Sequence, residues 1–228
     1  MLTNLILGFH TGDTSITSEK LKFINDTHQL VLLTLYCDQN TANLNIQEWL
    51  DEGGFGDLAI FLSNHTYPQI GFLILFLPNQ RAVRVETLLQ QITDALLYQA
   101  RQEAHSLLIG ISQVHSDLKE LHTAFSETST ALNEQLLRGP DLCSYTFKTD
   151  YEPKQVLWDY KDEFLFRVEA GMHNEIRELT NQLFHWFTTI PAFTLNDAKY
   201  YCYSLSNQCK NILNDYLNLD NKKYRYLP

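Results

Sequence analysis

Divalent metals and phosphoryl chemistry need clustered carboxylate oxygens, so acidic residues near predicted strand ends come first. Asp38 directly follows the apolar run HQLVLLTLYC, where a strand should end. One carboxylate alone cannot assemble a two-metal site, and at a strand end Asp38 reads as a turn residue. The turn at 63–69, SNHTYPQ, offers no carboxylate at all. Gly53, Gly54, Phe55, Gly56 and Asp57 form a glycine-rich stretch, but no Gly-Lys-Ser/Thr follows it. It reads as a turn, not as a phosphate-binding loop.

The chain has eight histidines, with no H-E-x-x-H pair and no close cluster of His, Cys and carboxylates. Neither a metal centre nor another cofactor is expected from that spacing. His115 and His122 are seven apart and read as polar surface residues. No G-x-S-x-G elbow supports a serine nucleophile, and no catalytic residue stands out. The four cysteines, Cys37, Cys143, Cys202 and Cys209, contain no C-x-x-C pair and are too sparse for a disulfide framework. Cys202 and Cys209 share a helix face and read as core thiols.

The chemistry-bearing residues must be positioned by a folded core, and composition supplies one. Of 228 residues, 44% are hydrophobic and 12% aromatic, which marks a globular chain long enough for one large or two small domains. A net charge of -10 argues against this chain gripping nucleic acid by itself, since phosphate binding needs clustered Lys and Arg. No apolar run approaches a membrane span and no signal peptide follows Met1, so a cytoplasmic location without membrane contact is expected.

Periodicity orders the elements. A helix end closed by Gly8 is followed by a short helix at 17–24. Then come a central strand at 28–37, a helical piece at 46–51 and strands at 57–62 and 70–77 joined as a hairpin by the turn SNHTYPQ. A long helix at 83–103 leads to a strand at 107–111. Leu118, Leu121, Phe125, Thr128 and Leu132 then recur at helical spacing, with Ser116 as the predicted N-cap and Lys119 where a capping box would want Glu. Residues 139–154 read as a linker with a short strand near 143–147, and three helices at 160–170, 174–188 and 195–217 complete the chain. The surplus aromatics of this last part include Trp158, Phe164, Phe184, Trp186, Phe187, Tyr200 and Tyr203.

Two stretches resemble a known family. The order I-G-I-S followed by S-D-L-x-x-L-H-x-A-F-x-E-x-x-x-A-L is similar to the last strand and helix of the GGDEF-like domain in bacterial AraC-type transcription regulators, often two-component response regulators. Y-x-x-E-F-L-F-x-V-x-x-G, with N-x-L-F-x-W-F further on, is similar to the helical connector that precedes their DNA-binding domain. The resemblance implies an α+β fold: an antiparallel-rich sheet with packed helices, as a degenerate nucleotide-cyclase-like sandwich, followed by a small all-α bundle. It divides the chain into the end of a linker helix and a short helix (1–27), a GGDEF-like domain (28–138), a linker (139–154) and a connector (155–228).

The same resemblance implies a non-enzymatic signal-transmitting region. Such a region would act as a homodimer and reach DNA only through a C-terminal domain outside this chain. No receiver domain fits before His28, and no tandem helix-turn-helix fits after Leu219. Asp38 would occupy the cyclases' first-strand metal position, but the turn at 63–69 lacks their signature acid. If the vestigial cleft binds a small-molecule effector or nucleotide, Asp38, Asn64 and His65 are the candidate contacts.

Overall fold

Strand β1 (Gln29–Cys37) is the sequence QLVLLTLYC, buried at every position except Gln29 and Tyr36. In the computed structural model, which describes residues 2–8, 29–77, 82–138, 142–144 and 152–223, this burial follows from its place in the sheet. The helix expected at 17–24 lies outside the described residues. Antiparallel neighbours flank β1 on both sides: β3 (Ile70–Leu77) on one, β4 (Leu107–Ile111) on the other. Strand β2 (Ala59–Ser63) extends the sheet beyond β3 as an antiparallel hairpin partner, and β5 (Leu142–Ser144) joins β4 in parallel. The order is β2-β3-β1-β4-β5.

That order arises because the chain crosses over twice. It leaves β1 through a helix, α2 (Ile46–Glu52), before laying down the β2–β3 hairpin, and leaves β3 through α3 (Ala82–Gln102) before returning as β4 on the far side of β1. This is the split β-α-β-β-α-β path.

Both sheet faces are covered, which explains why β1 reads as a continuous apolar run without polar alternation. Val31, Leu33, Leu35 and Cys37 face one way with Leu73, Leu75, Ile109 and Ile111. They pack on Ile46, Trp49 and Leu50 of α2 and Val85, Ile92 and Leu96 of α3. Leu30, Leu32, Phe72, Ile74 and Phe76 face the other way. There they meet Ile6 of α1 (Leu2–Ile6) and Leu121 and Ala124 of α4 (Leu121–Asn133).

The start of α4 differs from the expected cap. Asp117, not Ser116, caps the 3-10 turn Leu118–Glu120 that leads into the helix, its carboxylate accepting from the Lys119 N–H at 2.9 Å. Glu120 reaches back to the N–H groups of Asp117 and Ser116 at 3.3 and 3.1 Å. Asp and Glu three apart form the reciprocal box that a Ser116–Lys119 pair cannot, so the helix entry moves one residue along.

A second compact unit comprises residues 135–139 and 148–228. Its described helices are α5 (Lys161–Glu169), α6 (His173–Phe187) and α7 (Leu195–Lys223), around a cluster of Trp158, Phe164, Leu183, Phe187, Phe193 and Leu205. Phe187 and Phe193 stack with ring centroids 5.3 Å apart. Thr194 and Asp197 cap α7 reciprocally. The Asp197 carboxylate accepts from Thr194 N and Oγ1, and the Thr194 hydroxyl accepts from Asp197 N. The aromatic surplus divides: Trp158, Phe164 and Phe187 are buried, whereas Tyr160, Phe166, Phe184, Tyr200 and Tyr203 are exposed. Among the described residues no helix is long and apolar enough to cross a membrane.

Helix α4 lies very close to the sheet at Gly110. A Cβ there would stand 2.6 Å from the Thr128 carbonyl oxygen and 2.8 Å from Leu132 Cγ. Gly110 pairs with Thr34, whose hydroxyl meets that of Thr128 at 2.6 Å in the buried layer between sheet and helix. A Gly110→Ala substitution must push the helix backbone away, and a loss of about 2 kcal/mol is expected from overpacking. Urea unfolding checks it, with a lowered midpoint at unchanged m-value as the expected outcome.

Candidate functional site

The carboxyl end of β1, the amino end of β4 and the β2–β3 turn lie along one end of the sheet. This end holds every site residue expected from the sequence. The loop after β1 is latched to the hairpin turn by Thr41, whose N–H donates to the Pro68 carbonyl at 2.7 Å. Its hydroxyl reaches the Pro68 and Ile70 carbonyls at 3.1 and 3.2 Å.

Asn64 is buried, 3% exposed, and its side-chain oxygen accepts from the Thr66 and Tyr67 N–H groups at 3.0 and 3.2 Å. It is therefore an Asx-type turn former, and its acceptor is spent on its own loop. His65 sits exposed at the tip of that turn. Asp38 turns the other way, toward β4: one carboxylate oxygen accepts from the Ser106 N–H at 3.3 Å and from the Cys37 thiol at 3.3 Å. The same oxygen lies 4.0 Å from His105 Nδ1. The structure thus pairs Asp38 with His105 and Ser106 and leaves Asn64 and His65 to the hairpin.

His105 and Ser106 line a cleft of about 230 Å³ with Leu97, Ala100, Arg101 and Leu107. His105 is 14% exposed, and its Nδ1 is buried without a hydrogen bond. The cleft forms where α3 ends. Ala104 adopts a left-handed φ of 57°, and the His105 N–H closes back on the Ala100 carbonyl at 2.9 Å, a helix stop usually made with glycine. Nothing in the local pattern marks His105 or Ser106, because their partner Asp38 is nearly seventy residues away along the chain.

The glycine-rich stretch is the turn between α2 and β2, at the opposite end of β2 from the hairpin turn. Gly54 has a φ of 76° with open space around its Cα, whereas a Cβ on Gly56 would strike the Asp51 carboxylate. Among the described residues no group of three His, Cys, Asp or Glu side chains stands ready to hold a metal ion.

The two histidines read as surface residues are both engaged. His115 exchanges two backbone hydrogen bonds with Leu30 and is 9% exposed, its ring held between Glu127 at 3.0 Å and Glu120 at 3.5 Å. Glu127 also accepts from the Gln113 N–H at 2.9 Å, so the two carboxylates stitch the β4–α4 loop together through this ring. His122 lies on α4 with Nδ1 3.1 Å from the Ile6 carbonyl, which makes that nitrogen the donor. Its ring fills the space over Gly8, where a Cβ would come within 2.8 Å, so it closes the end of α1.

Burial pushes the Cys37, Cys202 and Cys209 thiols up from their ordinary values. None of these environments favours a thiolate nucleophile, and Cys37 is fully buried. No protein-family model, curated protein or solved structure matches the chain.

Because a raised thiol pKa lowers the thiolate fraction at a given pH, native Cys37 is expected to resist iodoacetamide at mildly alkaline pH and to react only on unfolding. Cys202 and Cys209 should react more slowly than free cysteine. Peptide mass spectrometry of chain alkylated before and after denaturant reads both outcomes.

Proposed function

We propose that this chain is a non-enzymatic, signal-transmitting region of an AraC-type transcription regulator, in which a degenerate nucleotide-cyclase-like sandwich is followed by a helical connector bundle. The observation that carries this reading is the β2–β3 turn. Cyclases of the resembled class place a metal-binding acid there, yet here the turn is organised by the amide oxygen of Asn64 and contains no carboxylate. Asp38, at the corresponding first-strand position, is committed to the Ser106 backbone instead of facing a second acid. An antiparallel sheet ordered β2-β3-β1-β4 supports the same reading, as does a separate helical unit directly downstream. A scaffold that has lost its chemistry transmits by shifting between packings, and such shifts need two states of comparable free energy.

Two measurements test this. Incubated with GTP and magnesium or manganese, the chain is expected to form no cyclic dinucleotide above a no-protein control on chromatography. In its natural gene the reading frame should continue past Pro228 into two helix-turn-helix motifs; a stop codon directly after Pro228 would sink the regulator reading.

A second reading is favoured by the cleft beside Asp38: a sensing module that binds a small molecule without converting it. The buried, unbonded Nδ1 of His105 is a group a ligand would satisfy. Under that reading a nucleotide or other small polar molecule raises the melting temperature by mass action, and His105→Ala abolishes the shift. No shift with any nucleotide at millimolar concentration leaves the transmitter reading standing alone.

A further inference from the structure

Strand β2 ends the sheet on one side, and its outer edge has no partner among the described residues. The Asn64 N–H donates to the Ile70 carbonyl at 3.1 Å, which fixes the alternation along the hairpin. The backbone groups of Ile60 and Leu62 bond to β3, whereas those of Ala59, Phe61 and Ser63 point away from it. Nothing among the described residues accepts from the Phe61 and Ser63 N–H groups. Nor does the strand carry the features that ordinarily guard an edge: AIFLS has no charge and no proline, and its pairing with β3 runs without a bulge.

The two faces flanking this edge differ. On one, Ala59 and Phe61 pack in the layer under α2, whose outward residues include Glu48, Asp51 and Glu52, and Asp57 stands in the turn just before β2. All four acids are exposed. No lysine or arginine occurs between Lys22 and Arg81, and among the described residues none of the four acids forms an ion pair. On the other face, Ile60 and Leu62 are half-buried against the cluster that α1 and α4 share.

We propose that the outer edge of β2 takes up an extended segment of another protein as an added strand, one in which basic and apolar side chains alternate. The added backbone accepts from the Phe61 and Ser63 N–H groups and donates to the carbonyls between them. Successive side chains of a strand point to opposite faces, so every second residue of the segment meets the acids around α2 and the residues between lie beside Ile60 and Leu62. The ladder supplies attraction for any sequence, and the two unlike faces select this one. Such docking is independent of what the rest of the chain transmits.

Amide hydrogen exchange of the intact chain, read by NMR along β2, tests this with the peptide acetyl-Lys-Val-Lys-Val-Lys-Val-Lys-amide as the probe. Exchange at Phe61 and Ser63 is expected to slow in its presence, while Ile60 and Leu62, already bonded to β3, change little. Ser63→Pro removes an outward donor without touching the β3 ladder and is expected to abolish the effect at an unchanged urea midpoint. Glu48→Lys combined with Glu52→Lys should weaken binding about tenfold at low ionic strength, and the counterpart peptide with Glu in place of Lys should bind that variant better than it binds the wild-type chain. Unchanged exchange at Phe61 and Ser63 with millimolar peptide, equal protection of the wild-type chain by the Glu peptide, or protection of these two amides in the free chain overturns the proposal.

Discussion

The contact between α4 and the sheet at Gly110 is the constraint around which the first unit is arranged. The helix backbone comes so close that the strand cannot carry a side chain beneath it, and the Thr34–Thr128 hydroxyl pair is buried in the layer this leaves. Two hydroxyls in an apolar layer cost free energy unless they satisfy each other, so the pair also fixes where α4 sits along the strands. From that seat Phe125 reaches Phe72 edge-on at 5.6 Å, Leu121 and Ala124 fill the face left by Leu30 and Leu32, and His122 closes α1. The loop entering α4 must then span a set distance, and His115 with its two glutamates holds it there.

The far end of the sheet follows a different logic. Its polar groups are spent on loop geometry: Asn64 on its own turn, Thr41 on the hairpin carbonyls, Asp38 on the Ser106 backbone. His105 is the exception, and it follows Ala104, one of two described non-glycine residues, with Ala192, that adopt a left-handed backbone. Strain and an unsatisfied polar atom at adjacent positions make this corner of the sheet a better place for a ligand than the hairpin turn.

Much of this was legible in the sequence wherever one period ruled. The strand expected at 28–37 is β1 at Gln29–Cys37, the strand at 70–77 is β3, and the helix at 83–103 is α3 shifted by one residue. Each is a long run whose burial depends on its own spacing. What the sequence hid was non-local or reciprocal. The cap of α4 fell to Asp117 because two acidic residues cooperate, which a search for the best single capping residue does not weigh. The pairing of β4 with β1 in place of β3 depends on a crossover, so no local pattern encodes it. His115 and His122 looked like surface residues since their partners, Glu127 and Ile6, belong to other parts of the fold. Asp38 was legible as a strand-end residue, but not its turn toward His105.

The two units also differ in how they stop. In the first, α3 closes at Ala104 just before β4 begins, and the central strands are covered on both faces. In the second, the capping of α7 is as complete as any in the chain, with Thr194 and Asp197 satisfying each other and Asp197 also receiving the Lys154 N–H at 3.0 Å. A helix start tied so firmly fixes the direction of everything after it. A long helix curves gently but does not kink sharply without a proline, a glycine or a bulge to allow it. Residues 195–223 contain neither proline nor glycine.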